Sequence, residues 1–509
     1  MVITKGKFTF TGMVILVAAM TVVSWQTVSG RINSGHPPET PHTNGAAYIG
    51  QFSLNPSQGP AGTVTMGIGK NFDPNTELQI VWQGFQGSWK VNSAGEFHGR
   101  EFKEELESRA TVRTDNTGGF KTSLTVPEGF GFIHDVLVMK EGAVLNKAAF
   151  DVRMQASLSP SSGPVGTPIT IELKDVGWRP LENSWTVLYD NRFTGWMSSV
   201  TTNGLARATI PAVGSPGKHI IQIVHGSMTF PYMNMQQSPR PDRPQWTLDF
   251  TVTDGTAVLP PPVQNQSLTV GKEATQVLSE KHALRIRVNP MSGPLGTPIN
   301  LEGQGFPAGQ QIELLWMTVK GNRVSGQGWG EASTSLGMVR AGDNGVIRFR
   351  FAAPDDLGGP HRIEARANGE KVAETAFSIS PSAYAIEPVS GQVGTPITIH
   401  LKGVGWTETA NIYNLIYDNA YLGYACGFNS QGDVTVHLPA TGEPGWHFID
   451  LYPGIYKGKD MKRVNNFRIP QLTSKDDHPG EKLPAFHFAF LVTKSSGNVI
   501  PMTVSLHPK

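Results

Sequence analysis

Two aspartate–histidine pairs are the first residues to consider for chemistry. Asp190 and His219 recur at the same spacing as Asp418 and His447. A carboxylate beside an imidazole can hold a metal ion or relay a proton. Each aspartate, however, stands in an Asp-Asn dipeptide, the chemistry of a tight hairpin turn, and a histidine opening a strand can simply bond backbone. No third side chain completes a nucleophilic triad, and the chain contains no His-Glu-x-x-His, Gly-x-Ser-x-Gly or phosphate-binding Gly-Lys-Ser/Thr motif. The pairs therefore read as structural. The expectation is a protein with no catalytic residues, no metal site and no cofactor, with an enzyme as a distant alternative.

Two long loops are the stronger candidates. Hairpin connections usually take about two to five residues, whereas Gly226 to Gln245 and Gly454 to Pro484 run far longer before the final strand of their modules. The first carries Phe230, Tyr232, Met233, Met235 and Arg240, the second Tyr456, Lys457, Lys459, Lys462, Arg463, Phe467 and Arg468. Aromatic and cationic side chains on loops held by a rigid scaffold suit recognition of a glycan or another protein. Phe230, Tyr232, Arg240, Tyr456, Lys457, Arg463 and Phe467 are the expected ligand contacts. The competing reading packs these loops against their own domain or a neighbour.

Other features read more plainly. Trp178 and Trp406 follow glycine at a strand end and are expected to be core lids rather than sugar platforms. Glu101, Glu104, Glu105 and Glu107 read as a solvated loop face. Leu438-Pro439-Ala440-Thr441-Gly442 spells a sortase signal but lacks the apolar span and basic tail such a signal needs. Asn265-Gln266-Ser267 is a glycosylation sequon, meaningful only in a eukaryotic secretory host.

The elements that must position these residues come from one repeated stretch. Pro-x-x-Gly-x-x-Gly-Thr begins at Pro56, Pro160, Pro290 and Pro388, and alternating apolar residues follow each copy. That pattern describes a strand, a glycine-dependent turn and a second strand. The second and fourth copies align without a gap from Leu158/Ile386 to Gly226/Gly454, sharing Val-Gly-Trp, Tyr-Asp-Asn and Pro-Gly-x-His. The first and third pair more loosely, so the order is A-B-A-B, a duplicated two-domain unit. In the second module the strands are expected at 168–173, 185–189, 193–200, 205–210, 219–224 and 246–252. The expected divisions are a signal peptide or membrane anchor at 1–30, a flexible stalk at 31–50 and module A1 at 51–154. Module B1 follows at 155–254, a Pro-rich linker at 255–283, module A2 at 284–381, module B2 at 382–495 and a C-terminal extension at 496–509.

At the motif, the alternating strand and the Gly-x-Gly-Phe of Gly303 to Phe306 or Val-Gly-Trp, the chain resembles the IPT/TIG domain family. The resemblance covers the opening third of each module, least well in the first. It implies an immunoglobulin-like fold, used across that family for adhesion, as spacers and as enzyme appendages. It brings no catalytic residues.

Composition agrees with an all-β chain of four tandem immunoglobulin-like β-sandwiches. The 509 residues include 57 glycines, 37 prolines and only 16% charged residues, a balance suited to short strands and tight turns. A formal charge of +1 gives no field favouring nucleic acid. The single cysteine, Cys426, excludes an internal disulfide and a cysteine metal cage. Lys5 and Lys7 precede a charge-free run from Phe8 to Gly30, read as an export signal or an uncleaved anchor helix. No cysteine follows it to accept a lipid. The expected protein is non-enzymatic and extracellular or cell-surface. It would be a rod of four sandwiches that binds or adheres through its B-module loops to a glycan, a protein or its own copies, and it would touch the membrane only through an uncleaved N-terminal segment. A passive stalk or envelope component is the alternative, and accessory domains of an extracellular enzyme system the distant one.

Overall fold

The computed structural model describes residues 48–93, 95–238, 243–263, 284–322, 328–457 and 467–494. The signal or anchor segment, almost all of the stalk, linker residues 264–283 and the C-terminal extension lie outside them. No helix among the described residues is long and apolar enough to cross a membrane.

The chain folds as four β-sandwiches, each a three-stranded sheet packed on a five-stranded one. In module B1 the small sheet orders Ala206–Pro211, Pro168–Lys174 and Gln155–Ser159, and the large sheet orders Ser162–Pro164, Trp246–Thr253, Gly217–His225, Ser184–Tyr189 and Arg192–Ser198. The same order recurs in all four modules, and the strands read from the B1 sequence match these within two residues. Alternation explains the packing: Pro168–Lys174 buries Ile169, Ile171 and Leu173 completely, facing Val187, Ile221, Ile223 and Phe250 across the sandwich.

The repeated motif has a separate task for each of its fixed residues. Its proline follows a cis peptide bond in every copy, at the point where the chain leaves the small sheet and adds a short strand, paired parallel, to the edge of the large one. The first glycine leaves room for the threonine, whose Oγ1 would otherwise lie 2.4–2.5 Å from an added Cβ. The second glycine has φ between +75° and +89° in all four copies, a conformation that other L residues seldom adopt. In the first three copies the threonine hydroxyl donates to the proline carbonyl three residues back, at 2.6–2.7 Å.

The modules do not form the expected rod. Each A module abuts its own B module at an equivalent seam, where Gly131 bridges Gly177 and Gly358 bridges Gly405. A Cβ on Gly131 would sit 1.8 Å from the Asp175 carbonyl, and one on Gly358 1.9 Å from the Gly403 carbonyl, so these backbones meet only because glycine is there. Beyond the seams the two halves fold back together. The outer face of the large sheet of B2, through Ile416, Phe448 and Tyr452, joins the hydrophobic core of B1. The long hairpin of A1, Glu77–Val91 and Phe97–Arg113, passes B1 and reaches B2. There Phe97 N donates to Glu408 Oε2 at 2.8 Å, and Glu408 N donates to the Gly95 carbonyl at 3.0 Å.

Two smaller expectations change. Trp178 does not cap its own core; it stacks on Phe85 of A1 with centroids 3.5 Å apart, forming the seam with Phe130. Glu101, Glu104, Glu105 and Glu107 stand on a strand rather than a loop, because the A1 hairpin continues regular pairing far past its sandwich.

Candidate binding surface

The aspartate–histidine pairs form as their spacing suggests. His219 Nδ1 lies 2.6 Å from Asp190 Oδ2, and His447 Nδ1 lies 2.5 Å from Asp418 Oδ2. The other ring nitrogen of each faces a carbonyl four residues earlier, Ser215 or Glu443, at 2.8 Å. The second carboxylate oxygen accepts the next backbone amide, from Ile220 or Phe448. A carbonyl only accepts, so Nε2 carries a proton and offers no lone pair to a metal or a substrate. Burial opposes charging His447, but the hydrogen bond and charge of Asp418 prevail and raise its pKa. Asp190-Asn191 and Asp418-Asn419 have positive φ at both residues, the hairpin geometry that places each carboxylate against its histidine.

The A modules contain the same device in another chemical form. His134 and His361 are buried, and Nε2 of each faces the carbonyl four residues back, Phe130 or Leu357, at 2.9 and 2.7 Å. Their Nδ1 atoms meet the carbonyls of Gln83 and Met317 at 2.8 and 3.0 Å. In every module the imidazole lies against an aromatic ring on the neighbouring strand. The pairs are Trp82–His134, Tyr189–His219, Trp316–His361 and Tyr417–His447, with centroids 4.6–5.6 Å apart and planes within 28° of parallel. The partner of Nδ1 always belongs to the residue after that aromatic. Sequence reasoning found only the B-module pairs, because the A modules use a backbone carbonyl where the B modules use aspartate. Among the described residues no group of three or more His, Cys, Asp or Glu could hold a metal ion.

The two long loops have different fates. Most of the B2 loop is built into the molecule. Asp477, buried, accepts from Trp89 Nε1 of A1 at 2.8 Å and from Val200 N, Thr201 N and Thr201 Oγ1 of B1 at 2.7–3.0 Å. Nearby, burial lowers the Arg100 guanidinium to about 10, with the charge of Asp477 opposing. Residues 470–473 run along the outer strand of B1: Trp196 N donates to Pro470 O, and Leu472 N to Trp196 O, both at 2.9 Å. Lys457 Nζ donates to the Phe97 carbonyl at 2.7 Å, and Phe467 meets the Phe97 ring edge-on at 5.6 Å. Lys457 and Phe467 are thus engaged within the molecule. Arg240 and Arg463 lie outside the described residues.

Phe230 and Tyr456 lie on one surface where B1 and B2 meet, while Tyr232 is held by its backbone N–H to the His225 carbonyl. Phe230 packs on Phe193, and both meet Tyr421 of B2. The Tyr421 hydroxyl donates to the Arg468 carbonyl at 2.6 Å, and burial pushes its pKa up to about 12. The Arg468 guanidinium lies 4.2 Å over the Tyr456 ring and 5.3 Å from that of Tyr424. Tyr456 also stacks near Tyr424 and Phe428. Phe230 and Tyr232 are each 44% exposed, and Tyr424 is 43% exposed. The surface is therefore an aromatic belt with one arginine at its centre. Tyr421 and Tyr424 escaped sequence reasoning because they follow the Asp-Asn turn on a strand that otherwise reads as core. A bulge at Leu422 brings the two tyrosines onto one face of the strand, whereas simple alternation would set residues three apart on opposite faces.

The fold and this surface together define a tandem immunoglobulin-like protein with an aromatic patch between two of its domains. No family model matches the chain, and no curated protein matches it. Solved structures similar to it include the ICAM-5 D1–D4 ectodomain fragment, at 11% identity over 87% of this chain and 99% of that one, with a TM-score of 0.19. Escherichia coli alpha-2-macroglobulin activated by porcine elastase is similar at 9% identity over 88% of this chain and 44% of that one, with a TM-score of 0.16. A beta-glycosidase from Bacteroides vulgatus is similar at 13% identity over 41% of this chain and 25% of that one, with a TM-score of 0.14. The chain spans less than half the length of the latter two, and scores this low carry no functional inference.

Proposed function

We propose that this is an exported, surface-displayed binding protein of the IPT/TIG kind, acting without catalysis and engaging a glycan or protein through the aromatic belt between B1 and B2. The observation that carries the reading is the convergence of Phe230, Tyr421, Tyr424, Tyr456 and Arg468 on one surface, assembled from two modules. Exposed Phe230 and Tyr424 beside half-buried Tyr456 and Arg468 on a rigid base offer large contact area at small entropic cost. The histidines support the non-catalytic reading, since each ring nitrogen already has a protein partner.

The passive-stalk alternative has its own supporting observation, because the B2 loop braces A1 and B1. Deleting residues 454–484 therefore tests stability more than function. The discriminating experiment is a glycan-array and pull-down screen of the full chain against its Phe230→Ser/Tyr424→Ser double variant. A captured ligand lost in the variant is expected. A ligand held equally by both proteins refutes the belt, and no ligand for either favours the stalk.

A further inference from the structure

The two B modules share a short segment that follows their last strand. After Trp246–Thr253 the chain reads Val258-Leu259-Pro260-Pro261-Pro262-Val263, and after Phe486–Val492 it reads Val499-Ile500-Pro501-Met502-Thr503-Val504. The common pattern is Val-aliphatic-Pro-x-x-Val. Both last strands stand in one register, with Val252 opposite Gly163 and Val492 opposite Gly391. The A modules have no such segment. Their last strands, Ala143–Val152 and Glu370–Ile379, lead within three residues into Gln155–Ser159 and Ser382–Ala383.

In B1 the start of this segment closes the turn of the repeated motif. Val258 N donates to the Val165 carbonyl at 2.8 Å, and a Cβ on Gly166 would sit 1.9 Å from the Val258 carbonyl. Phe448 of B2 completes the cover on Gly166. The segment then runs on to B2, where Val263 packs against the core. The B2 turn has the same shape as that of B1. Gly394 has φ +89° against +83° at Gly166, and its N–H donates to the Ala440 carbonyl at 2.8 Å, as that of Gly166 does to Ala212 at 2.7 Å. Yet Val393 is 48% exposed where Val165 is half-buried, and a Cβ on Gly394 would meet no described atom within 4 Å. No described residue donates to the Val393 carbonyl.

We propose that the B2 turn at Val393 and Gly394 is the docking site of this chain's own segment 499–501, with the Val499 N–H donating to the Val393 carbonyl. Length permits it. Val499 lies six residues beyond Thr493, whose N–H still bonds the Gly391 carbonyl at 2.8 Å, and B1 covers the equivalent path in five. Glycine in the turn lets the two backbones approach, since in B1 a Cβ at this place would strike the docked carbonyl. Tethering selects this occupant over a free one, because a segment joined so closely is present at an effective concentration of about a millimolar. The proposal is independent of the binding reading above.

Hydrogen exchange of the full chain, resolved to single amides by fragmentation, tests this with Val258 as the internal reference. The Val258 and Val499 amides are both expected to exchange at least about tenfold slower than in an unstructured peptide of the same sequence. Gly394→Ala should return Val499 to the unstructured rate and leave Val258 protected. Val499→Asp changes the segment and not the module, so it should do the same and keeps the test valid if Gly394→Ala folds poorly. A Val499 amide that exchanges freely while Val258 is protected overturns the proposal. So does protection that survives both substitutions, which would put the segment elsewhere. Protection that grows with protein concentration would assign the docked segment to a second copy and overturns it as well.

Discussion

The imidazole of His447 lies against the ring of Tyr417, with centroids 5.6 Å apart and planes 28° from parallel. This is the B2 version of a contact that every module makes between its two central strands. It fixes the histidine as part of the fold and makes its titration a stability matter.

The pKa of His447 is raised in the folded protein by Asp418, against the effect of burial. A raised histidine contributes stability that is fully present below the unfolded value, about 6.5, and lost as pH rises through the folded value. Asp418→Asn is expected to cost about 1–3 kcal/mol near pH 6. The difference from the unaltered protein should shrink as pH rises toward 8 or above, measured by urea unfolding at each pH.

His134 carries the opposite sign. Burial lowers its pKa, with the Gln83 and Phe130 carbonyls opposing, so the unfolded chain takes up the proton first as pH falls through about 6.5, and stability falls with it. His134→Phe keeps the ring on Trp82 but removes the single N–H of the neutral imidazole, which serves one of the two facing carbonyls, Gln83 or Phe130. A loss of about 1–3 kcal/mol at pH 8 is expected, with a weaker dependence on acid than the unaltered protein shows. Thermal unfolding at pH 5 and pH 8 measures both.

Asp477 joins three modules, accepting from Trp89, Val200 and Thr201. Asp477→Ala leaves those donors without partners in a buried place, a loss of about 2–4 kcal/mol. Limited proteolysis should then cut within 467–484 faster than in the unaltered chain, and small-angle scattering should report a larger radius of gyration. An unchanged scattering curve would show that the apolar contacts of Leu472 and Phe448 hold the modules alone.

Trp178 and Phe85 close the seam between A1 and B1. Trp178→Ala removes a buried indole at a cost of about 3–5 kcal/mol. Because the indole lies between modules, scanning calorimetry of the full chain should resolve A1 melting earlier, rather than a uniform shift.

Much of the fold was legible because it depends on local rules. The cis proline, the positive-φ glycine and the threonine of each motif act within eight residues, and the strands after them alternate with the pleat. Asp190 and His219 were likewise visible, since the hairpin turn and the strand opening each have their own signal. The A-module histidines were not. Their partners are backbone carbonyls, which every residue has, so the side chains at those positions leave no mark in the sequence. Lys457 and Phe467 read as free loop cations and aromatics, yet their partner Phe97 lies in another module.

The sequence by itself determined four sandwiches, their A-B-A-B order and the turns that build them, because periodicity and turn chemistry are short-range properties of the chain. Only the tertiary structure decided that the halves fold back on each other, which candidate residues are engaged and which stand exposed, and that residues 470–473 cover the outer strand of B1. Those outcomes depend on contacts between residues hundreds of positions apart. Packing of preformed surfaces selects such contacts, and no local pattern encodes them.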